Sequence, residues 1–511
     1  MKRVLSFLTS RMFILGMLVL LQLIVLLSLV SWLSGIAFEV NLFFVMLSII
    51  MVISIVYKKI NPSYAIAWVI VILILPVFGG ILYLLFGNKK VPKALQRRSV
   101  LFETDQSPAL RQEEEILNQI LSENREVSKQ VNYIWKNSFY PIYSNTVTEY
   151  YSVGEKQFPA LIRELKKAEK FIFIEYFIIR EGVMWNSILE VLIEKANIGV
   201  DVRVMYDGAG CVSTLSKNYD NYLRSKGIHC QVFNPIRPQL VAQMNNRNHR
   251  KITIIDGVVG FMGGTNLADE YINVEEHFGY WKDSAIMLQG EAVWSLTTMF
   301  LQFWNFTANT KKDLSEYALT KKQIKTFKSD GFIQPFSDSP TDDEAVGETT
   351  HMNMINLARD YVYITTPYLI PSYEMIRALT ISAKNGIDIR IIVPHIPDKW
   401  YVHMITKSNY EELLKSNVRI YEYTPGFIHS KNFVSDDSVA IIGSTNIDYR
   451  SYYLNYECGV FLYKNKAVMD MKNDFLETLQ YCQEVTLDDV KKTRLWKRIV
   501  QALLGLFSPL L

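Results

Sequence analysis

His249, Lys251 and Asp256 recur as His429, Lys431 and Asp436, every member displaced by the same 180 residues. The displacement also carries Gly263 to Gly443, Thr265 to Thr445 and Asn266 to Asn446, so each copy reads His-x-Lys-x4-Asp-x6-Gly-(Gly/Ser)-Thr-Asn. Two imidazoles, two ammoniums and two asparagines converging on one pocket describe a phosphate site. Lys251, Lys431, Asn266 and Asn446 offer charge and directed donors to non-bridging oxygens as negative charge builds in a transition state. One imidazole can attack phosphorus while the other protonates the leaving alcohol and then deprotonates the incoming one. The lysines already supply positive charge, so this chemistry calls for no metal and no cofactor.

A nucleophilic imidazole needs a fixed tautomer, which a carboxylate on its other ring nitrogen supplies. Asp283 in Trp281-Lys-Asp and Glu457 in Asn455-Tyr-Glu are the candidates, each downstream of the motif in its own half. Asp256 and Asp436 complete the two catalytic triads of the motif. Their positions at hairpin turns, on the opposite strand face, point to holding the local fold rather than touching substrate. Arg247 is a further candidate for a headgroup phosphate. His229, His277, His351, His395 and His403 read as structural or exposed, and the four cysteines are scattered without metal-ligand spacing.

The elements that must position these groups also repeat. Phe171–Phe177 reads as a strand, Ser187–Ala196 as a helix closed by Gly199, and Val200–Met205 as a second strand. Tyr361–Thr366, Met375–Lys384, Gly386 and Ile387–Val393 repeat that order. Strand, helix, glycine and β-branched strand is a βαβ signature, and two such units predict a duplicated α/β fold. Each motif then sits on a hairpin: Lys251–Ile255 and Val258–Met262 around Asp256-Gly257, and Lys431–Ser435 and Val439–Ile442 around Asp436-Asp437. Alternation puts His and Lys, two apart, on one face of a strand.

The 511 residues suffice for two such domains, and a formal charge of +3 gives no polyanion-binding signature. The apolar excess lies in the first 87 residues. Met12–Leu33 is long enough to cross a hydrocarbon core of about 30 Å, and too long, without a small-residue cleavage site, for a signal peptide. Leu42–Tyr57 and Tyr64–Phe86 follow, the latter broken by Pro76 and Gly79-Gly80. Lys and Arg before the first run, between the second and third, and after the third put those segments on the cytoplasmic side. Two crossings plus a re-entrant third segment satisfy every loop; three full crossings remain open. The expected organisation is a membrane-anchoring region (1–90), a helical connector (91–135), two α/β halves (136–330 and 331–488) with a loop-rich hinge over Lys321–Thr350, and a basic amphipathic membrane-surface segment (489–511).

The paired motifs resemble those of the phospholipase D superfamily, and within it the bacterial cardiolipin synthases. Asn246-Arg-Asn-His249-Arg-Lys, Gly426-Phe-Ile-His429-Ser-Lys, Gly279-Tyr-Trp-Lys-Asp283, Thr366-Pro-Tyr-Leu369, Ile81-Leu-Tyr-Leu-Leu-Phe-Gly87 and the final Ser508-Pro-Leu-Leu511 carry the likeness. The resemblance implies two tandem pseudo-symmetric phospholipase D-like domains behind a transmembrane region, in a multi-pass enzyme of the cell membrane with its catalytic part in the cytoplasm. It further implies transfer of a phosphatidyl group from one phosphatidylglycerol to another, with His249 as nucleophile and His429 as general acid and base. A hydrolase of the same superfamily differs only in letting water take the phosphatidyl group. A nuclease fits poorly, because a membrane anchor serves lipid substrates, and nucleic acid is not an expected partner. A binding module with a degenerate site conflicts with two complete motifs.

Overall fold

The structure, a computed structural model, describes residues 38–58, 61–87, 110–235, 245–310, 313–320, 327–342 and 344–510, with 24, 25, 28 and 323. Nearly all of the first apolar run, the start of the connector, and parts of the hinge lie outside the described residues.

Runs of β-branched and aromatic residues bounded by glycine and aspartate form the strands, as their fit to a pleated, buried surface favours. In the first half these are β1 (Thr146–Tyr151), β2 (Phe171–Tyr176), β3 (Asp201–Asp207), β4 (His229–Phe233), β5 (Arg247–Asn248), β6 (Lys251–Ile255), β7 (Val259–Gly263), β8 (Tyr280–Lys282) and β9 (Ala285–Gly290). In the second they are β10 (Phe332–Asp338), β11 (Tyr361–Thr365), β12 (Asp388–Pro394), β13 (Arg419–Tyr423), β14 (Gly426–Ile428), β15 (Asn432–Ser435), β16 (Val439–Gly443), β17 (Asn455–Tyr463) and β18 (Cys482–Val485).

The first sheet runs β1-β9-β7-β6-β2-β3-β4, and the second repeats it as β10-β17-β16-β15-β11-β12-β13, with β18 added at the edge. In each, two parallel βαβ strands join an antiparallel hairpin: β2 pairs parallel with β3 and antiparallel with β6, as β11 does with β12 and β15. Gly199 and Gly386, both at positive φ, end the crossover helices Val183–Asn197 and Tyr373–Lys384. One apolar cluster spans both halves, joining Phe173 and Ile254 of the first sheet to Ile442 and Val460 of the second around Phe300 of the helix Val293–Ala308. The halves therefore share a core.

The structure refines two expectations and corrects a third. The loop-rich hinge also holds regular structure: β10 forms an edge of the second sheet, and Val346–Leu357 is a helix. The connector is more than a link. Its helices Glu114–Glu123 and Arg125–Ser138 bury Ile116, Ile120, Val131 and Ile134 in the core of the second half, because their apolar residues recur at helical spacing. The histidines, finally, do not share a strand with their lysines. His249 and His429 follow β5 and β14, short strands that leave their own sheet to pair with the other half.

Ahead of the domains, helices Phe38–Tyr57 and Pro62–Ile74 are followed by Pro76–Leu82, with a break at Leu75, where Pro76 cannot donate its backbone hydrogen bond. The segment after the break folds back on the one before it, so a Cβ on Gly79 would lie 2.4 Å from the Val71 carbonyl oxygen. The uninterrupted apolar run of the first helix, Leu42–Tyr57, rises about 24 Å, short of a hydrocarbon core of about 30 Å. Among the described residues no helix is long and apolar enough to cross a membrane.

Candidate active site

The two motifs meet at the seam between the halves, and each half lends the other a strand. β5 pairs parallel with the start of β17, and β14 pairs parallel with β8. The backbone N–H of His249 donates to the Tyr456 carbonyl at 2.9 Å, and that of His429 to the Lys282 carbonyl at 2.7 Å. Tyr456 precedes Glu457, and Lys282 precedes Asp283, so each histidine is fixed beside an acid of the opposite half. His249 Nδ1 lies 2.9 and 3.0 Å from the two carboxylate oxygens of Glu457. His429 Nδ1 lies 2.6 Å from Asp283 Oδ2. Both acids, candidates from sequence, meet a histidine, and the pairing is crosswise.

A carboxylate only accepts, so each Nδ1 carries the hydrogen and each Nε2 presents a lone pair. Lys251 Nζ donates to the His249 carbonyl at 2.6 Å, and Lys431 Nζ donates to the His429 carbonyl. Lys431 Nζ also lies 2.9 Å from His429 Nδ1, but with the Nδ1 hydrogen committed to Asp283 no lone pair is left there to accept. Phe177 packs edge-on against His249, while Tyr271, Trp281 and Phe427 surround His429.

Burial and like charge set the electrostatics. Burial pushes His249 down to about 4 against the pull of Glu457, with Lys251 adding to the shift. Burial and then Lys431 push His429 down to about 3, so both imidazoles rest neutral. Lys251 falls to about 7 and Lys431 to about 8, first through burial; Glu457 and Asp283 pull both back up, while Lys431 lowers Lys251 further. Burial raises Glu457 and Asp283, but the histidine and lysine beside each win, His249 and then Lys251 for Glu457, Lys431 and then His429 for Asp283, and hold both below the usual carboxylate range.

Buried polar atoms around this cluster lack protein partners: the hydroxyls of Thr265 and Thr445 and Oδ1 of Asn446 make no hydrogen bond among the described residues. Asn266 is more tightly held, accepting from Ile178 N–H at 3.0 Å and donating to the Tyr271 hydroxyl at 2.6 Å. An anion entering here would meet the ammoniums of Lys251 and Lys431, both buried, where such donors act most strongly.

Asp256 and Asp436, counted with the catalytic triads, sit elsewhere. Asp256, at the far end of β6, accepts from the backbone N–H groups of Glu169, Lys170 and Phe171 at 2.7 to 2.9 Å. Asp436 does the same for Arg359, Asp360 and Tyr361. At about 3.4 Å per residue they lie roughly 17 Å along the strand from their lysines. Both have positive φ, which aspartate tolerates at a hairpin turn. Arg247 is also committed, donating to the Asn234 carbonyl at 2.8 Å beside Asp207.

Sequence reasoning missed Ser444. Its hydroxyl donates to Glu457 Oε2 and accepts from the Cys458 N–H at 3.0 Å, bracing the carboxylate that holds His249. The matching residue in the first half is Gly264, where a Cβ would come within 2.2 Å of Asp283 Oδ1. The signal was present: it is the one specified position at which the two copies of the motif differ. Glu175 supports the site from behind, accepting from Asn248 Nδ2 at 2.8 Å and facing Arg250 at 3.8 Å.

Residues 161–304 and 352–479 match the family model described as cardiolipin synthase, PLD-like domain, and residues 46–88 match that of the phospholipase D-nuclease N-terminal region. A cardiolipin synthase of Alkalihalophilus pseudofirmus is 35% identical over 471 residues, which is 91% of this chain and 92% of that protein. One from Halalkalibacterium halodurans is 34% identical, covering 88% of this chain and 90% of that protein. The phosphatidylserine synthase structure from Haemophilus influenzae shares the fold, with a TM-score of 0.55 at 15% identity, covering 75% of this chain and 98% of that one. With two phospholipase D-like halves and this likeness over nearly its whole length, the chain belongs to the phospholipase D-like cardiolipin synthase family.

Proposed function

We propose that this protein is a phosphatidyltransferase that makes cardiolipin and glycerol from two molecules of phosphatidylglycerol. The observation that carries the reading is the pair of neutral imidazoles, each with its Nδ1 hydrogen held by a buried carboxylate and its Nε2 free, beside two buried lysines. His429 first takes up a solvent proton at Nε2 as the anionic lipid enters, the imidazolium being held by Asp283. His249 Nε2 then attacks phosphorus, the bond to the headgroup glycerol oxygen breaks, and His429 gives that proton to the departing oxygen. The glycerol hydroxyl of a second phosphatidylglycerol then loses its proton to His429 and attacks, breaking the phosphorus–nitrogen bond and freeing His249. Lys251, Lys431 and Asn446 hold the phosphate oxygens, and Asn266 fixes the rim of the pocket through Tyr271.

His249 is assigned the attack because its carboxylate is braced by both Ser444 and Asn455, which suits a ring that must carry positive charge once phosphorylated. The aromatic wall around His429 suits a ring that exchanges protons away from water. Residues 1–90 anchor the enzyme to the cell membrane, with the third apolar segment re-entrant and the catalytic halves in the cytoplasm. The fold-back at Pro76 and the exposed apolar faces of the helices before it support that topology.

The test uses purified protein and phosphatidylglycerol labelled both in its phosphate and in its headgroup glycerol. Cardiolipin and free glycerol in equal amounts are expected; phosphatidic acid as the only lipid product would make the enzyme a hydrolase instead.

A further inference from the structure

The helix Leu495–Leu506 is inside out for a protein domain in water. It packs on the helix Trp400–Ser408, and the residues it turns inward include Gln501, which is buried, and Leu504, which meets Ile405 and Tyr449. Arg498 reaches back to Glu411 at 2.8 Å. Its largest apolar groups face out: Leu495, Trp496, Ile499 and Leu503 are 74%, 56%, 52% and 54% exposed. At about 100° per residue these four share an arc of roughly 100°, and Gln501 and Leu504 lie across the axis from it. Nothing among the described residues covers that arc.

The surroundings identify what would cover it. From Val490 to Leu511 the chain holds five basic residues and no acidic one. The turn that follows, Ser508–Leu510, packs on the helix Pro62–Ile74, whose Ile66, Leu73 and Ile74 are exposed as well. The outward arc thus lies beside the apolar face of the amino-terminal helices. A basic helix with Trp and Leu on its free side is the form that lies in the headgroup region of an anionic bilayer. The same turn packs on the helix Tyr449–Tyr453, three residues beyond Asn446.

We propose that Leu495–Leu506 is an interfacial helix, its Leu495/Trp496/Ile499/Leu503 face sunk among the headgroups of an anionic bilayer, setting the depth at which the catalytic loop meets the lipid phosphate. The proposal rests on the reading of this protein as a membrane enzyme. Its test needs no turnover, so a chain that hydrolysed lipid rather than transferring it would leave the proposal standing.

A nitroxide is placed at Leu503→Cys in the full chain, with Cys482→Ser to remove the one native thiol that is not buried. The protein is reconstituted in phosphatidylglycerol vesicles, and collisions with oxygen and with a water-soluble nickel chelate are compared with those of a label at exposed Ile198→Cys. An oxygen-to-nickel ratio several-fold higher at 503 than at 198 is expected. A ratio equal to that at 198 would put the face in water. Shielding from both relaxers would mean a second copy or another protein covers it. Either result overturns the proposal. Ile499→Asp with Leu503→Asp should in addition lower turnover of bilayer phosphatidylglycerol about tenfold while sparing short-chain, dispersed phosphatidylglycerol.

Discussion

Replacing Glu457 by glutamine should slow formation of the phosphoenzyme far more than its breakdown. When His249 Nε2 bonds to phosphorus the ring becomes an imidazolium, with its Nδ1 hydrogen 2.9 Å from a fully buried carboxylate. Taking charge centres about 4 Å apart and an effective dielectric near 20, the attraction is about 4 kcal/mol. A lone charge-assisted hydrogen bond is worth about 1.5–3 kcal/mol. Glutamine keeps an acceptor and the shape but loses the charge, so the loss falls between these limits. At about 1.4 kcal/mol per decade this is a slowing of roughly 10²-fold, with bounds of about 10-fold and 10³-fold. Rapid-quench single turnover, following label transferred from phosphatidylglycerol to protein, measures that step. The crosswise geometry adds a sharper requirement: Asp283→Asn, in the half that carries His249, should impair departure of glycerol and attack by the second lipid instead. If folded Glu457→Gln protein phosphorylated within threefold of the parent rate, or if the two variants exchanged their effects, the assignment of acids to histidines would be refuted.

Three further outcomes follow from the same geometry. Asp256→Ala removes an acceptor from three backbone N–H groups and should cost about 2 kcal/mol of stability, seen in thermal unfolding; kcat of the folded protein should stay within about threefold. A hundredfold fall in kcat would restore Asp256 to the chemistry. Affinity for an unreactive phosphonate lipid should weaken as pH rises from 7 to 9, because Lys251 near 7 and Lys431 near 8 lose their protons over that range and an anion binds the charged form. Titration calorimetry should therefore find net proton uptake on binding at pH 8.5, and a flat pH dependence would show the lysines fully charged throughout. Ser444→Ala should lower kcat about tenfold and leave KM nearly unchanged, since the hydroxyl braces Glu457 and touches no substrate; a change confined to KM would count against that role.

What the sequence made legible was local. The hairpins, the Asp-Gly turn at residue 256 and the βαβ units follow from alternation, β-branched content and turn residues within a few positions of one another. The duplication was legible because the same spacing occurs twice. What was hidden depends on contacts between distant residues: His249 meets its acid 208 residues away and His429 meets its own 146 residues away. Strand period alone put each histidine on the strand of its lysine. The structure breaks that strand because β5 and β14 gain an edge on the other half, a gain no local pattern encodes. The connector was legible as helical but its packing was not, since an amphipathic helix does not state which core its apolar face will enter.

The exchange of acids bears on why two copies exist in one chain. Each half supplies the histidine of one pair and the carboxylate of the other, so neither half alone holds a complete His–acid unit. Two identical halves associating about a two-fold axis would complete both units but would have to treat both histidines alike. Joining them in one chain lets the surroundings diverge. Ser444 fits beside the longer Glu457, whereas any Cβ at Gly264 would collide with Asp283, which must sit close because its side chain is shorter. The Gly/Ser difference and the Asp/Glu difference are thus one change made in two places, and Gly264→Ser alone should be far more damaging than Ser444→Gly. Should the two substitutions cost the same, the asymmetry of the two histidines would need another cause.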